Sequence, residues 1–347
     1  MTEMSETSGT PATTRTVLPE ISSRAWEHPA DRTALTALRR LKGFDQVLKV
    51  LSAMLRERQH RLLYLASSAQ VGPRQFADLD ALLDECVLVL DAQVKPDLFV
   101  SQSPEVNAYA IGMDSPFIVV TSGMYELMTH DEMRFVLGHE LGHALSGHAV
   151  YRTILLRILT LSGILTAIPL GGIGLRMIVA ALMEWVRKSE LSADRAGLLA
   201  TQDPGVAYRA LMKMSSGGHL ADLDQTSFFE QGSEYDAAVD IRDSVLKLLL
   251  IERRSHPMPV SRASELRRWV DSGAYTAIVA GTYPTRDEDA NAKVSEAAQE
   301  AAASYTEAFR ETQDTLGKLM HDAAGWLGSA KGWIDERWRR PGDEDAS

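Results

Sequence analysis

Hydrophobic and polar positions divide the chain into helical stretches on either side of one short strand-rich region. From about Asp31 to Ser68, apolar residues recur three and four apart, as in "ALTALRRLKGFDQVLKVLSAML", which predicts two helices broken at Gly43. Another helix is predicted after Pro73. Between Pro96 and Ser122 the period changes. "DLFVSQ", "VNAYAIG" and "PFIVVTS" are short runs rich in Val, Ile and aromatics, separated by turns containing Pro, and they predict a short antiparallel sheet. From Gly123 to about residue 338 the pattern is again helix after helix. The expected class is mostly α with a small β-sheet, an α+β fold.

Two apolar segments stand apart. Residues 158–175, "ILTLSGILTAIPLGGIGL", are an uncharged run of eighteen between Arg157 and Arg176, near the length that crosses a bilayer. Pro169, Gly171, Gly172 and Gly174 interrupt it, so it reads as a helical hairpin over 154–186, either buried or in peripheral contact with a membrane. Toward the C-terminus, Leu316, Leu319, Met320, Ala323, Trp326, Leu327, Ala330, Trp333 and Ile334 fall on one helical face. That amphipathic helix either packs back on the body or rests on lipid or a partner.

Composition narrows the field. A chain of 347 residues supports one large domain with an appended part: a disordered tail over 1–18, a body over 19–285, and a helical extension over 286–347. The net charge of −11 argues against nucleic acid, which needs a basic face. The single cysteine, Cys86, excludes an intrachain disulfide and reads as a small core residue. The N-terminus is rich in Ser and Thr, with neither a basic nor an apolar signal region, so the expected address is cytoplasmic. Membrane association on the cytoplasmic face is the alternative.

The chemistry is concentrated in "VLGHELGHALSGH", residues 136–148, which holds three of the nine histidines. Residues four apart project from one face of a helix, so His139 and His143 can place two imidazole nitrogens on one metal ion. Glu140 then points beside the ion, where a general base for a metal-activated water must stand. Thr129 and Glu132 form a capping box that starts this helix. Nine histidines in 347 residues give roughly 0.02 chance occurrences of HExxH in such a chain, so coincidence is a poor explanation. His148, five residues after His143, lies about 140° from the ligand face and reads as a residue behind the ligands. A better third ligand is Glu190 in "KSELSADRAG". Glu190 and Asp194 share a helix face, so one can bind the ion while the other accepts a proton from the far nitrogen of a ligand histidine. Gly138, Gly142, Ala193 and Gly197 are small enough to let the two helices approach. Two His and one Glu leave a fourth position for water, the catalytic arrangement of zinc.

From about Val106 to Arg262 the chain resembles the HtpX-like and CAAX-prenyl-protease-like zinc metallopeptidases. These are gluzincins with HExxH and a downstream ExxxD. The resemblance is carried in order by "NAYAIGMDSPFIVVTSGMYELM", "HELGH", "SELSADRAG" and "SHPMPVSR". It implies a zincin-like core and one Zn2+ held by His139, His143 and Glu190, with Glu140 as base and Asp194 behind the ligands. It also implies a substrate strand at Asn107, Ala108, Tyr109 and Ala110, where an extended peptide adds to the sheet edge. His256 and Arg262 are the residues that would stabilise the oxyanion, or His256 would cap the zinc at rest. The membrane members of this family carry several clean spans; this chain has none legible in its sequence. The expected function is that of a zinc-dependent metalloendopeptidase acting on unfolded or membrane-associated proteins. A metal-stabilised, chaperone-like scaffold that binds partner or membrane proteins is the alternative.

Overall fold

A computed structural model describes residues 15–39, 57–112, 115–153, 155, 172–237 and 258–291. Within them the helices are α1 (Pro29–Arg39), α2 (Glu57–Ser67), α3 (Ala77–Val89), α4 (Ser122–Leu127), α5 (His130–Leu145) and α6 (Gly172–Thr201). They continue as α7 (Pro204–Ser216), α8 (Gln225–Ala237), α9 (Pro259–Asp271), α10 (Ala274–Val279) and α11 (Arg286–Asn291). The strands are β1 (Ala69–Gln70), β2 (Leu98–Ser101), β3 (Ala108–Ile111) and β4 (Phe117–Thr121). The α+β expectation holds.

The sheet corrects one detail of that expectation. Its order is β1-β2-β4-β3, with β2 and β4 parallel and the other two pairs antiparallel, so it is mixed rather than antiparallel. Strand character decides the order. β4, "FIVVT", is buried at every position and takes a central place, where both faces are covered. β3, "AYAI", alternates buried and half-buried and takes the edge. Ile118 and Val120 point into the main core, whereas Phe117 and Val119 face the opposite way onto Phe99, Tyr64 and Tyr109.

α5 is the centre of the body. All residues from Glu132 to His143 are buried, so the helix is enclosed on every face and shows no polar side. α6 runs along it at close range. A Cβ added to Gly142 would stand 2.5 Å from Ala196 Cβ, and one added to Gly138 would stand 2.5 Å from Ala200 Cβ. The small residues set the distance between the two helices that carry the site. Gly142→Val is accordingly expected to lower stability by about 1–3 kcal/mol through overpacking, read as a shift in the urea midpoint. Gly72→Ala, where an added methyl meets nothing within 4 Å, is the near-neutral control.

Both ends of the expected body make contacts with it. The tail expected to run to residue 18 is packed by Arg15, whose Nε donates to Thr201 O at 3.0 Å, and Leu18 is buried in the core. At the other end, Arg286 donates to Asp91 Oδ2 at 2.5 Å and to Ile21 O at 3.1 Å. Among the described residues no helix is long and apolar enough to cross a membrane. Most of the 158–175 run, the far C-terminal helix and His256 lie outside the described residues.

Candidate metal centre

The capping box read from the sequence is present: Thr129 Oγ1 accepts from Glu132 N at 3.4 Å, and Glu132 Oε2 accepts from Thr129 N at 2.8 Å. Glu132 also takes Lys213 Nζ at 2.6 Å, which ties α7 to the start of α5. Two turns on, His139 and His143 face each other with ring centroids 4.7 Å apart and Nε2 atoms 3.1 Å apart.

Glu190 arrives from α6 between them. Its Oε2 lies 3.5 Å from His139 Nε2 and its Oε1 lies 3.3 Å from His143 Nε2. The three residues are buried, and one ligand atom from each falls within 4.8 Å of the others, a grouping that fits a metal ion. Two imidazole nitrogens and a carboxylate oxygen are the donor types that catalytic zinc sites use. Glu140 stands beside this group, its Oε1 4.0 Å from His139 Nε2, and is buried at 1 % exposure.

The surrounding groups fix protonation and direction. Asp194, one turn after Glu190, places Oδ1 3.0 Å from His139 Nδ1. Donation from Nδ1–H to that carboxylate leaves the His139 Nε2 lone pair aimed at Glu190 and His143. Burial pushes the His143 imidazole down to about 3; Arg152 adds to this and Glu190 opposes it, so His143 is neutral at neutral pH, the form that binds metal. Burial alone would raise the Asp194 carboxyl, but the Arg262 guanidinium and His139 overcome it and hold the group below the usual carboxylate range.

Arg262, from α9, reaches these carboxylates and not open space. Its Nε donates to Asp194 Oδ2 at 2.8 Å, its Nη2 donates to Asp194 Oδ1 at 2.5 Å, and its Nη1 lies 3.1 Å from Glu190 Oε2. The bidentate pairing keeps Arg262 charged despite burial. Arg262, expected from the sequence near the oxyanion, thus lies against Glu190 and Asp194.

Ala108, Tyr109 and Ala110 lie on β3 at the sheet edge, against α5. Asn107 precedes the strand. Its N–H donates to Thr121 Oγ1 at 3.0 Å, and its carbonyl accepts from Thr121 N at 3.0 Å, so its main chain is already engaged. Tyr109 OH meets Tyr64 OH at 2.9 Å.

Two residues of the site were missed by sequence reasoning. Arg152 Nη1 lies 3.1 Å from His143 Nε2 and 3.3 Å from Glu190 Oε1. Asp31 lies behind His148, with Oδ2 3.0 Å from its Nε2. Nothing in the spacing of either residue points to the centre. The first follows the HExxH helix by a turn of undistinguished sequence, and the second comes from α1, far upstream.

A buried HExxH helix, crossed at close range by a second helix that supplies a glutamate, defines a metallopeptidase. Residues 73–270 match the model of peptidase family M48, and the chain belongs to that family. Over 270 residues it is 37% identical to the plastoglobule-localized metallopeptidase 48, chloroplastic, of Arabidopsis thaliana, covering 75% of this chain and 76% of the relative. An HtpX protease homolog of Moorella thermoacetica is 26% identical over 237 residues, 60% of this chain and 77% of its own. A protease HtpX of Xylella fastidiosa strain M12 is 34% identical over 79 residues, 22% of this chain and 27% of its own. No solved structure matches the chain. The protein is thus a metalloprotease hydrolase of the HtpX-like kind, and the scaffold alternative is set aside.

Proposed function

We propose that the chain is a zinc-dependent endopeptidase that cleaves unfolded or membrane-associated proteins, and that His139, His143 and Glu190 hold the ion. The observation that carries this reading is the convergence of those three buried donors on one point, with Glu140 beside them. When bound, zinc supplies Lewis acidity, which lowers the pKa of a water and polarises the scissile carbonyl. Glu140 takes the proton of the attacking water and delivers it to the leaving amine. Asp194 orients His139, and Arg262 acts through Glu190 and Asp194 as a positioning residue. Stabilisation of the oxyanion stays with His256, on the strength of the sequence alone.

The edge strand β3 receives the substrate. Pairing along Ala108–Ile111 reads main chain rather than side chains, which suits extended, unfolded segments of varied sequence. Encounter with the centre follows from the contact of β3 with α5.

The test pairs metal content with proteolysis. Wild type is expected to carry one zinc per chain by elemental analysis and to cleave casein. Glu190→Ala is expected to retain its helical circular dichroism yet lose the ion and the activity together. One zinc retained in Glu190→Ala, with activity intact, would remove Glu190 from the ligand set and reopen the assignment of the centre.

A further inference from the structure

We propose that Asp31 and His148 are positioning residues for the metal centre: Asp31 sets the tautomer of His148, and His148 sets that of His143. The proposal rests on the reading of His143 as a ligand. It extends that reading to a residue on α1, outside the HExxH and ExxxD segments.

The geometry is a continuous buried chain. His143 Nδ1 lies 3.0 Å from His148 Nδ1, and His148 Nε2 lies 3.0 Å from Asp31 Oδ2. Ser192 Oγ donates to the same Asp31 oxygen at 2.6 Å. Asp31, His148 and Ser192 are buried, as is His143, so no bulk water competes for these contacts. The Trp185 ring stands edge-on to His148 with centroids 5.4 Å apart and limits its rotation.

Proton placement then follows from the ends inward. An ionised carboxylate only accepts, so His148 carries its proton on Nε2 and donates it to Asp31. In the neutral ring, which carries one proton, Nδ1 is then an acceptor. His143 must therefore carry its proton on Nδ1, donate it to His148, and present a lone pair on Nε2, the atom that faces Glu190 and His139. Asp31 Oδ2 takes both the His148 Nε2 contact and the Ser192 hydroxyl, so the end of the chain is an acceptor. Asp31 also sits in the first turn of α1, where the helix dipole favours a negative charge.

The two ligand histidines are thus served by different carboxylates. Asp194 contacts His139 directly, from the helix that bears Glu190. Asp31 reaches His143 through one intervening imidazole, from a helix docked on α6 by the hydrogen bond of His28 N to Ser192 Oγ at 2.9 Å. Correct docking of the N-terminal segment becomes a condition for tight metal binding.

The experiment measures zinc affinity of the full chain by competition with a chromogenic chelator. It is run on wild type, Asp31→Asn, Asp31→Ala, His148→Gln and His148→Ala. Asp31→Ala and His148→Ala are expected to bind zinc about 10–100-fold more weakly. Asp31→Asn, which keeps the volume and an acceptor oxygen but loses the charge, should fall between them and wild type. The visible absorption of the cobalt-substituted protein should shift in the His148 variants, a signature that a purely structural role would not move. If the alanine variants fail to fold, Asp31→Asn and His148→Gln carry the comparison. Folded variants with wild-type zinc affinity and an unchanged cobalt spectrum would overturn the proposal. A wild type that binds no zinc would overturn the reading of the centre itself.

Discussion

Glu140→Gln is expected to keep one zinc per chain and to cleave casein about 10²–10⁴-fold more slowly than wild type, the range that general-base catalysis contributes. At 1.36 kcal/mol per decade, that loss is about 3–5 kcal/mol of transition-state stabilisation. Gln is the informative replacement because Glu140 is buried at 1 % exposure and an alanine there would leave a void. The amide preserves shape and removes the one property the role needs, an oxygen able to take a proton. Metal should stay because the three grouped ligand atoms come from His139, His143 and Glu190, and Glu140 is only their neighbour at 4.0 Å. The measurement is kcat/KM beside elemental analysis on the same preparation. Turnover within tenfold of wild type, with zinc present, would move the base elsewhere. Loss of zinc would instead make Glu140 a ligand.

What could be read from the sequence in this centre is what one helix encodes. The i, i+4 spacing of His139 and His143, the capping box at Thr129, and the small residues Gly138 and Gly142 are periodic features of a single segment, and each appears in the structure as read. Glu190 and Asp194 were legible for the same reason: two carboxylates four apart on a helix whose Ala193 and Gly197 permit close approach. Sequence spacing carries no information on how far-separated segments meet. Asp31 reaches the centre only because α1 docks on α6, and Arg152 meets Glu190 from beyond the end of α5. The sheet shows the same limit. Three of its four strands follow from their β-rich runs, but the insertion of β4 between β2 and β3 depends on which strand is apolar enough to be covered on both faces. The two-residue β1 has too little pattern to be seen beforehand.

Arg262→Ala is expected to destabilise the metal-free protein by about 3–5 kcal/mol, the cost of removing one partner from a buried ion pair. The argument is one of charge in a space without water. Among the described residues, Asp31, Glu140, Glu190 and Asp194 are buried in and behind the site, and Arg152 and Arg262 are the guanidiniums in contact with it. A divalent cation held by His139, His143 and Glu190 would add positive charge beside these carboxylates. Without Arg262, Asp194 loses both of its guanidinium hydrogen bonds and Glu190 loses a cation at 3.1 Å. The deficit should therefore be largest with chelator present and smaller in saturating zinc, where the ion returns charge beside Glu190. Urea unfolding under the two conditions measures both values. Arg262→Lys, which keeps the charge but not the bidentate fork, should recover part of the loss. An Arg262→Ala protein with an unchanged urea midpoint in chelator would remove the charge-balancing role. If Arg262→Lys kept wild-type stability and zinc while kcat alone collapsed, the guanidinium would belong at the oxyanion after all.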